Sequence, residues 1–358
     1  MIVVMKASAT EVEIQAVVGM VEKLDYSAHI IRGVERTVVA CVGEERGEQH
    51  QLGHLEAVAG VDRVMPVLRS FKLAAREVRP EGSRVKVGGV EIGGRRLTVI
   101  AGPCAVETPE QTLVAARMAR AAGASLLRGG AFKPRTSPYA YQGLGEAGLK
   151  ILADVRAETG LPVVTEVIDP GSVDLVCSYA DMLQVGTRNM QNFALLQAVG
   201  SAAKPVLLKR GMSATVEEWL MAAEYIAQRG NLDIVLCERG IRTFETATRN
   251  TLDISAVPVA QRLSHLPVIV DPSHSGGRRD LVLPLTRAAI AVGADGVIID
   301  VHPEPETALC DGDQALVDAD IRQIASIAAN LSPLMGRTLT PALDPANGPD
   351  RQPSPVAG

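Results

Sequence analysis

The chain has 358 residues, 47% of them hydrophobic, which is enough for one large domain and a small one with a substantial core. Its net charge of −5 sets up a field that repels a polyanion, so nucleic acid is excluded as a partner even though local basic clusters exist. No apolar run approaches the about 20 residues that span a bilayer, and the five cysteines form no CxxC pair behind a start without a secretory pattern, so a reducing cytoplasm and no membrane contact are expected.

Residues 1–68 alternate short strands with helical periodicity. Ile2–Met5 reads as a strand, Thr10–Leu24 as a helix, Ala28–Ile31 and Thr37–Val42 as strands, Gln49–Ala59 as a second helix and Val64–Leu68 as a fourth strand. Thr10 with Glu13 three residues on is a capping box, and the order βαββαβ is that of a ferredoxin-like module. Nothing in the module looks catalytic. Residues 69–96 read as a charged, glycine-bearing linker in which Val85–Val87 and Val90–Ile92 flank Gly88-Gly89 as a hairpin lid before the main domain.

From Leu97 the rhythm changes to eight short apolar runs, each followed by an amphipathic stretch: 97–101, 125–128, 162–167, 182–185, 205–209, 233–237, 267–270 and 296–300. Continuous apolar strands are buried on both faces, as parallel strands are, and alternation with helices implies βαβ units. Eight such units over residues 97–335 predict a (β/α)8 barrel, which typically takes about 250 residues. The remaining 336–358, rich in Pro, Ala, Asp and Gly, read as a disordered tail.

Active sites of such barrels lie at the C-terminal strand ends, and that is where this chain concentrates its chemistry. Arg128 ends the second strand, with Lys133, Arg135 and Thr136 after it, Lys209 ends the fifth, and Arg188 and Arg239 follow the fourth and sixth. Each alone could be a solvated surface charge, but cations gathered at buried strand ends repel one another unless a multiply charged anion sits between them, and a phosphate that also carries a carboxylate fits. Cys104 ends the first strand, His274 follows the seventh, Asp300 ends the eighth and Asp311 lies in the next loop. A lone Cys is usually a small buried apolar residue, yet thiol, imidazole and two carboxylates at four strand ends could converge on one divalent metal ion. Lys209 could instead form an aldolase-type Schiff base, which would leave that metal set idle.

Ala101-Gly102-Pro103-Cys104, Lys133-Pro134-Arg135-Thr136-Ser137, Leu207-Leu208-Lys209-Arg210-Gly211, Asp271-Pro272-Ser273-His274-Ser275 and His302-Pro303-Glu304-Pro305-Glu306 resemble the signature segments of 3-deoxy-D-arabino-heptulosonate 7-phosphate (DAHP) synthases. The similarity runs through most of the chain and extends to the type I beta branch, which carries an N-terminal ferredoxin-like regulatory domain. The resemblance implies a transferase that condenses phosphoenolpyruvate with erythrose 4-phosphate and releases phosphate, the first step of the shikimate pathway. It assigns Cys104, His274, Asp300 and Asp311 to a divalent metal, with Mn, Fe, Co or Zn suited better than Mg to the donors. Arg128, Lys133, Arg188, Lys209 and Arg239 would bind phosphoenolpyruvate, and Arg135 and Thr136 the phosphate of erythrose 4-phosphate. Lys133 would give a proton to the developing alkoxide, with a water at the metal as the other candidate donor. The resemblance further implies a tyrosine or phenylalanine effector on the N-terminal module and a homotetramer. One departure stands out: the family usually has Glu where this chain has Asp300, one methylene shorter.

Two other readings compete. The sister enzyme that makes 3-deoxy-manno-octulosonate 8-phosphate from arabinose 5-phosphate shares the barrel and the phosphoenolpyruvate pocket, but carries Lys-Ala-Asn-Arg-Ser where this chain has Lys133-Pro134-Arg135-Thr136-Ser137. A non-catalytic amino-acid sensor built on residues 1–68 would have no use for the full set of metal and anion residues.

Overall fold

Short β-branched runs and one strongly capped helix build the first unit. In the computed structural model, which describes residues 1–33, 36–43, 53–65 and 70–343, β1 (Ile2–Met5), β2 (Ser27–Arg32), β3 (Thr37–Val42) and β4 (Val61–Met65) form a sheet in the order β2-β3-β1-β4. Both neighbours of β1 run antiparallel to it, as the split βαββαβ arrangement requires. Helix α1 (Glu11–Lys23) begins at Thr10, whose hydroxyl accepts from Glu13 N while Glu13 Oε2 accepts from Thr10 N at 2.7 Å. Such a cap contributes about 1 kcal/mol. The helix buries Ile14, Val17 and Val21, spaced three and four apart, against Val3, Met5, Val39 and Cys41. The described part of the expected second helix is a single 3-10 stretch, Gly53–Ala57, and 49–52 lie outside the described residues. The fourth strand starts at Val61, earlier than expected, directly after the left-handed Gly60; its expected end, 66–68, is likewise outside them.

The chain divides into two compact units, the first made of Met1–Glu81 with Leu263–His265 and the second of the rest. The hairpin therefore belongs to the second unit. Its strands, β5 (Arg84–Val87) and β6 (Val90–Gly93), are joined by Gly88 and Gly89 at φ 53° and 92°, both left-handed as a two-residue type I′ turn demands.

Eight parallel strands follow: β7 (Arg96–Gly102), β8 (Leu126–Arg128), β9 (Val163–Val167), β10 (Met182–Val185), β11 (Val206–Lys209), β12 (Ile234–Glu238), β13 (Val268–Val270) and β14 (Gly296–Asp300). Pairing of β14 with β7, Gly296 opposite Thr98 through Asp300 opposite Gly102, closes the barrel. Helices α2 (Pro109–Ala121), α3 (Glu146–Thr159), α4 (Val173–Cys177), α5 (Phe193–Ser201), α6 (Val216–Ala227), α7 (Ala256–Leu263), α8 (Pro272–Gly276), α9 (Arg279–Ala291) and α10 (Asp318–Leu331) alternate with the strands.

One side chain from each strand, Ile100, Leu126, Val164, Met182, Leu207, Val235, Ile269 and Ile298, forms an apolar layer, and Val85, Val87, Val90 and Ile92 of the hairpin pack onto it. The hairpin approaches Pro162, Asp181 and Pro267, each at or just before the start of a strand. The hairpin, expected as a lid within a linker, is a plug at the N-terminal end of the barrel. The tail also departs from expectation. β15 (Thr338–Leu339) pairs in parallel with β7, Arg337 binds Asp295 at 2.7 Å and the carbonyls of Gly94 and Arg96 at 3.1 Å, and Leu343 packs on the hairpin core. Arginine donors and strand pairing thus fix 337–343, while 344–358 lie outside the described residues.

Candidate active site

Strand periodicity carries the apolar layer directly to the site. Two residues beyond a layer position the side chain points inward again, and at that level stand Gly102, Arg128, Glu166, Gln184, Lys209, Asp271 and Asp300. Strand β12 places Cys237 there and delivers Arg239 one step higher. A cavity of about 280 Å³ opens on this level, lined by Arg128, Lys133, Arg135, Thr136, Glu166, Gln184, Arg188, Lys209, Arg239, Arg249, His274 and Asp311 among others. All seven anion-binding candidates read from the sequence therefore face one space. Gly186 leaves room beside it for the Glu166 carboxylate, whose Oε1 would stand 1.9 Å from a Cβ there and would have to shift.

Arg128, Lys133, Lys209 and Arg239 are buried, whereas Arg188 is exposed at the rim, its Nη2 reaching Thr136 Oγ1 at 3.4 Å. Arg128 Nε and Arg239 Nη1 are buried with no hydrogen-bond partner among the described residues. Buried guanidinium nitrogens left unpaired are costly unless an anion completes them. Neighbouring Arg210 turns the other way, to Glu238 Oε2 at 2.9 Å and Asp253 Oδ2 at 2.8 Å. Lys209 Nζ meets Asp271 Oδ2 at 2.5 Å, an ion pair with no Schiff-base feature about it.

At one side of the cavity the metal-binding candidates converge. Cys104 Sγ lies 3.2 Å from Asp311 Oδ2 and 3.7 Å from His274 Nε2, and His274 Nε2 lies 3.6 Å from both Asp311 Oδ2 and Asp300 Oδ2. Soft, intermediate and hard donors within coordination range of one point fit a divalent transition ion. Asp271 orients the imidazole: its Oδ1 accepts from His274 N at 2.8 Å and its Oδ2 lies 2.9 Å from Nδ1, which leaves Nε2 facing the other donors. Burial opposes charge on His274, but Asp271 and Asp300 push the imidazole up to about 10. Asp311 is itself in the left-handed region at φ 54°, with Oδ1 held by Arg249 Nη1 at 3.1 Å; strain of this kind persists where surrounding contacts enforce it. Lys133 Nζ stands 3.1 Å from Cys104 Sγ and 3.0 Å from Cys104 O, between the donors and the anion pocket.

Besides Arg249, four participants were not singled out from the sequence. Glu166 and Gln184, joined at 3.3 Å, occupy the same inward positions as Arg128 and Lys209. Gln314 Nε2 donates to Asp300 Oδ2 at 2.6 Å. Cys310 has its sulfur 3.8 Å from Cys104 Sγ and 2.6 Å from Arg135 Nη1. The Cys104 thiol donates to it, and with Lys133 and Arg135 nearby this outweighs burial and brings Cys310 down to about 7.

Comparison with known proteins decides between the readings. Residues 52–336 match the DAHP synthetase I family and residues 1–69 the DAHP synthase ferredoxin-like domain. The chain belongs to the DAHP synthetase I family. It is 54% identical over 316 residues to the phospho-2-dehydro-3-deoxyheptonate aldolase of Thermotoga maritima, covering 88% of this chain and 93% of that one. A crystal structure of the Thermotoga maritima DAHP synthase aligns with a TM-score of 0.75 at 50% identity over 94% of this chain and 98% of that one. A truncated form of the 3-deoxy-D-arabino-heptulosonate 7-phosphate synthase from the same organism aligns over 75% of this chain and 98% of its own, with a TM-score of 0.70 and 51% identity. The 2-dehydro-3-deoxyphosphooctonate aldolase of Syntrophotalea carbinolica is 37% identical over 65% of this chain and 90% of its own. The greater identity and coverage, with the N-terminal module included, select the heptulosonate branch. The chain is thus a transferase that condenses phosphoenolpyruvate with erythrose 4-phosphate to give DAHP and phosphate.

Proposed function

We propose that the chain performs this condensation with one divalent metal ion held by Cys104, His274, Asp300 and Asp311. The observation that carries the reading is the continuity of that cluster with a cavity of buried cations in which Arg128 Nε and Arg239 Nη1 lack partners among the described residues. When bound, the ion supplies Lewis acidity at the aldehyde oxygen of erythrose 4-phosphate, and the donor chemistry favours Mn, Fe, Co or Zn over Mg.

The chain's own residues do the rest. Arg128, Lys133, Arg188, Lys209 and Arg239 bind the phosphate and carboxylate of phosphoenolpyruvate and so fix the face from which C3 attacks. Arg135 and Thr136 take the phosphate of the sugar. The attack leaves a cation-like centre at C2 that water quenches, and the same cations stabilise the departing phosphate. Lys133 Nζ sits beside the forming alkoxide, a stronger base than an amine, and gives it a proton. The N-terminal module binds tyrosine or phenylalanine and imposes feedback inhibition, the assembly is a homotetramer, and the protein works in the cytoplasm.

The test is phosphate release by chelator-stripped protein offered erythrose 4-phosphate or arabinose 5-phosphate, with and without Mn²⁺. Turnover with the four-carbon sugar that depends on added metal is expected. Full turnover of the stripped protein would remove the metal from the reading, and a preference for the pentose phosphate would reverse the sugar assignment.

A further inference from the structure

Around the cluster read above as the metal site, Cys104, His274 and Asp311 form a triangle of donors 3.2, 3.6 and 3.7 Å apart. Two more candidates flank it. Asp300 is close to His274, but both its oxygens are already engaged, Oδ1 by Arg128 Nη1 and Oδ2 by Gln314 Nε2 at 2.6 Å. Cys310 is buried, directly precedes Asp311, and holds its sulfur 3.8 Å from Cys104 Sγ.

That separation has a coordination meaning. Two thiolates on one tetrahedral ion, with metal–sulfur bonds of about 2.3 Å, stand about 3.8 Å apart. The sulfur also has a counter-charge in place, since Arg135 Nη1 reaches it at 2.6 Å, just as Arg128 answers the charge of Asp300. We propose that Cys310 is a direct second thiolate donor to the metal ion, beside Cys104 and Asp311, with which its sulfur forms one group of donor atoms, making this a two-sulfur site biased toward thiophilic divalent ions. The inference rests on the reading of this cluster as the metal centre. The competing role for Cys310, a small filler packed with Ala105 and Tyr141, predicts one sulfur on the metal.

Zinc loaded into the reduced full-length protein and examined by X-ray absorption at the zinc edge counts the sulfurs. Two at about 2.3 Å are expected in the wild type and one in Cys310→Ser; a single sulfur in the wild type overturns the proposal. With cobalt(II), the sulfur-to-metal charge-transfer band should fall by about half in Cys310→Ser, and an unchanged band also overturns it. Cadmium affinity, measured by competition with a chelator, should fall about tenfold or more in the variant while manganese affinity changes less than about twofold. Equal losses for both ions count against the bias. If Cys310→Ser does not fold, the wild-type sulfur count decides alone. A wild type that takes up no zinc overturns the metal centre itself together with this inference, whereas a one-sulfur shell removes Cys310 only.

Discussion

Asp271 is the residue on which the metal cluster and the anion pocket both depend, and Asp271→Asn separates its two duties. The carboxylate is 1% exposed and faces Lys209 Nζ, His274 Nδ1 and His274 N at 2.5, 2.9 and 2.8 Å. Neutralising it leaves the Lys209 ammonium buried without its partner, a loss of about 3–5 kcal/mol in stability. It also removes the group that holds Nε2 toward the metal. A proton and a metal ion at Nε2 both lose the attraction of Asp271, but the dication carries twice the charge and loses more, so metal affinity falls although proton competition eases. The expected fall is about 10- to 100-fold, equivalent to roughly 1.4–2.7 kcal/mol. Chelator competition with zinc reads the affinity, and urea unfolding of the metal-free protein reads the stability. Adding Lys209→Met to Asp271→Asn removes the uncompensated charge, so stability should recover while metal affinity stays low. A folded Asp271→Asn protein that binds zinc within about twofold of wild type would refute the reasoning, because His274 would then need no carboxylate to orient it.

Three further outcomes are expected. In the first unit, His265 donates to Leu73 O at 2.8 Å and burial holds it neutral down to about 4, against an ordinary 6.5; its contribution is present above pH 6.5 and is lost as pH falls toward 4, about 2 kcal/mol of it by pH 5. Unfolding curves at pH 7.5 and 5 should show that loss in the wild type and much less of it in His265→Gln, and equal slopes would discard the assignment. Arg135→Ala should raise the KM for erythrose 4-phosphate about 10- to 100-fold, the range of a lost charge-assisted hydrogen bond, and leave the KM for phosphoenolpyruvate near wild type; a parallel rise in both would place Arg135 in the other subsite. Removing residues 1–68 should preserve condensation and abolish inhibition by tyrosine or phenylalanine, and an unchanged inhibition curve would take the effector away from the N-terminal module.

What the sequence made legible, and what it concealed, follows from where each residue sits relative to a strand. Arg128, Lys209, Asp271 and Asp300 end or directly follow apolar runs, so the barrel's geometry alone aims them at one place. Arg249, Gln314 and Cys310 project from loops whose path no periodicity describes, and their contacts with Asp311, Asp300 and Cys104 emerge only in three dimensions. Glu166 and Gln184 were available but unmarked, since one polar residue inside an apolar strand draws little notice. Yet Val164 to Glu166 and Met182 to Gln184 repeat the two-residue step of Leu126 to Arg128 and Leu207 to Lys209, and alternation on a parallel strand says that both members of each pair point inward. The same rule separates the adjacent cations Lys209 and Arg210, sending the first to the cavity and the second to Glu238. It also corrects the hairpin. Val85, Val87, Val90 and Ile92 occupy every inward position of two short strands, and a wholly apolar face cannot cover a pocket of arginines and carboxylates without stranding their charges. An apolar face of that size belongs against the apolar layer, at the end of the barrel where no chemistry takes place.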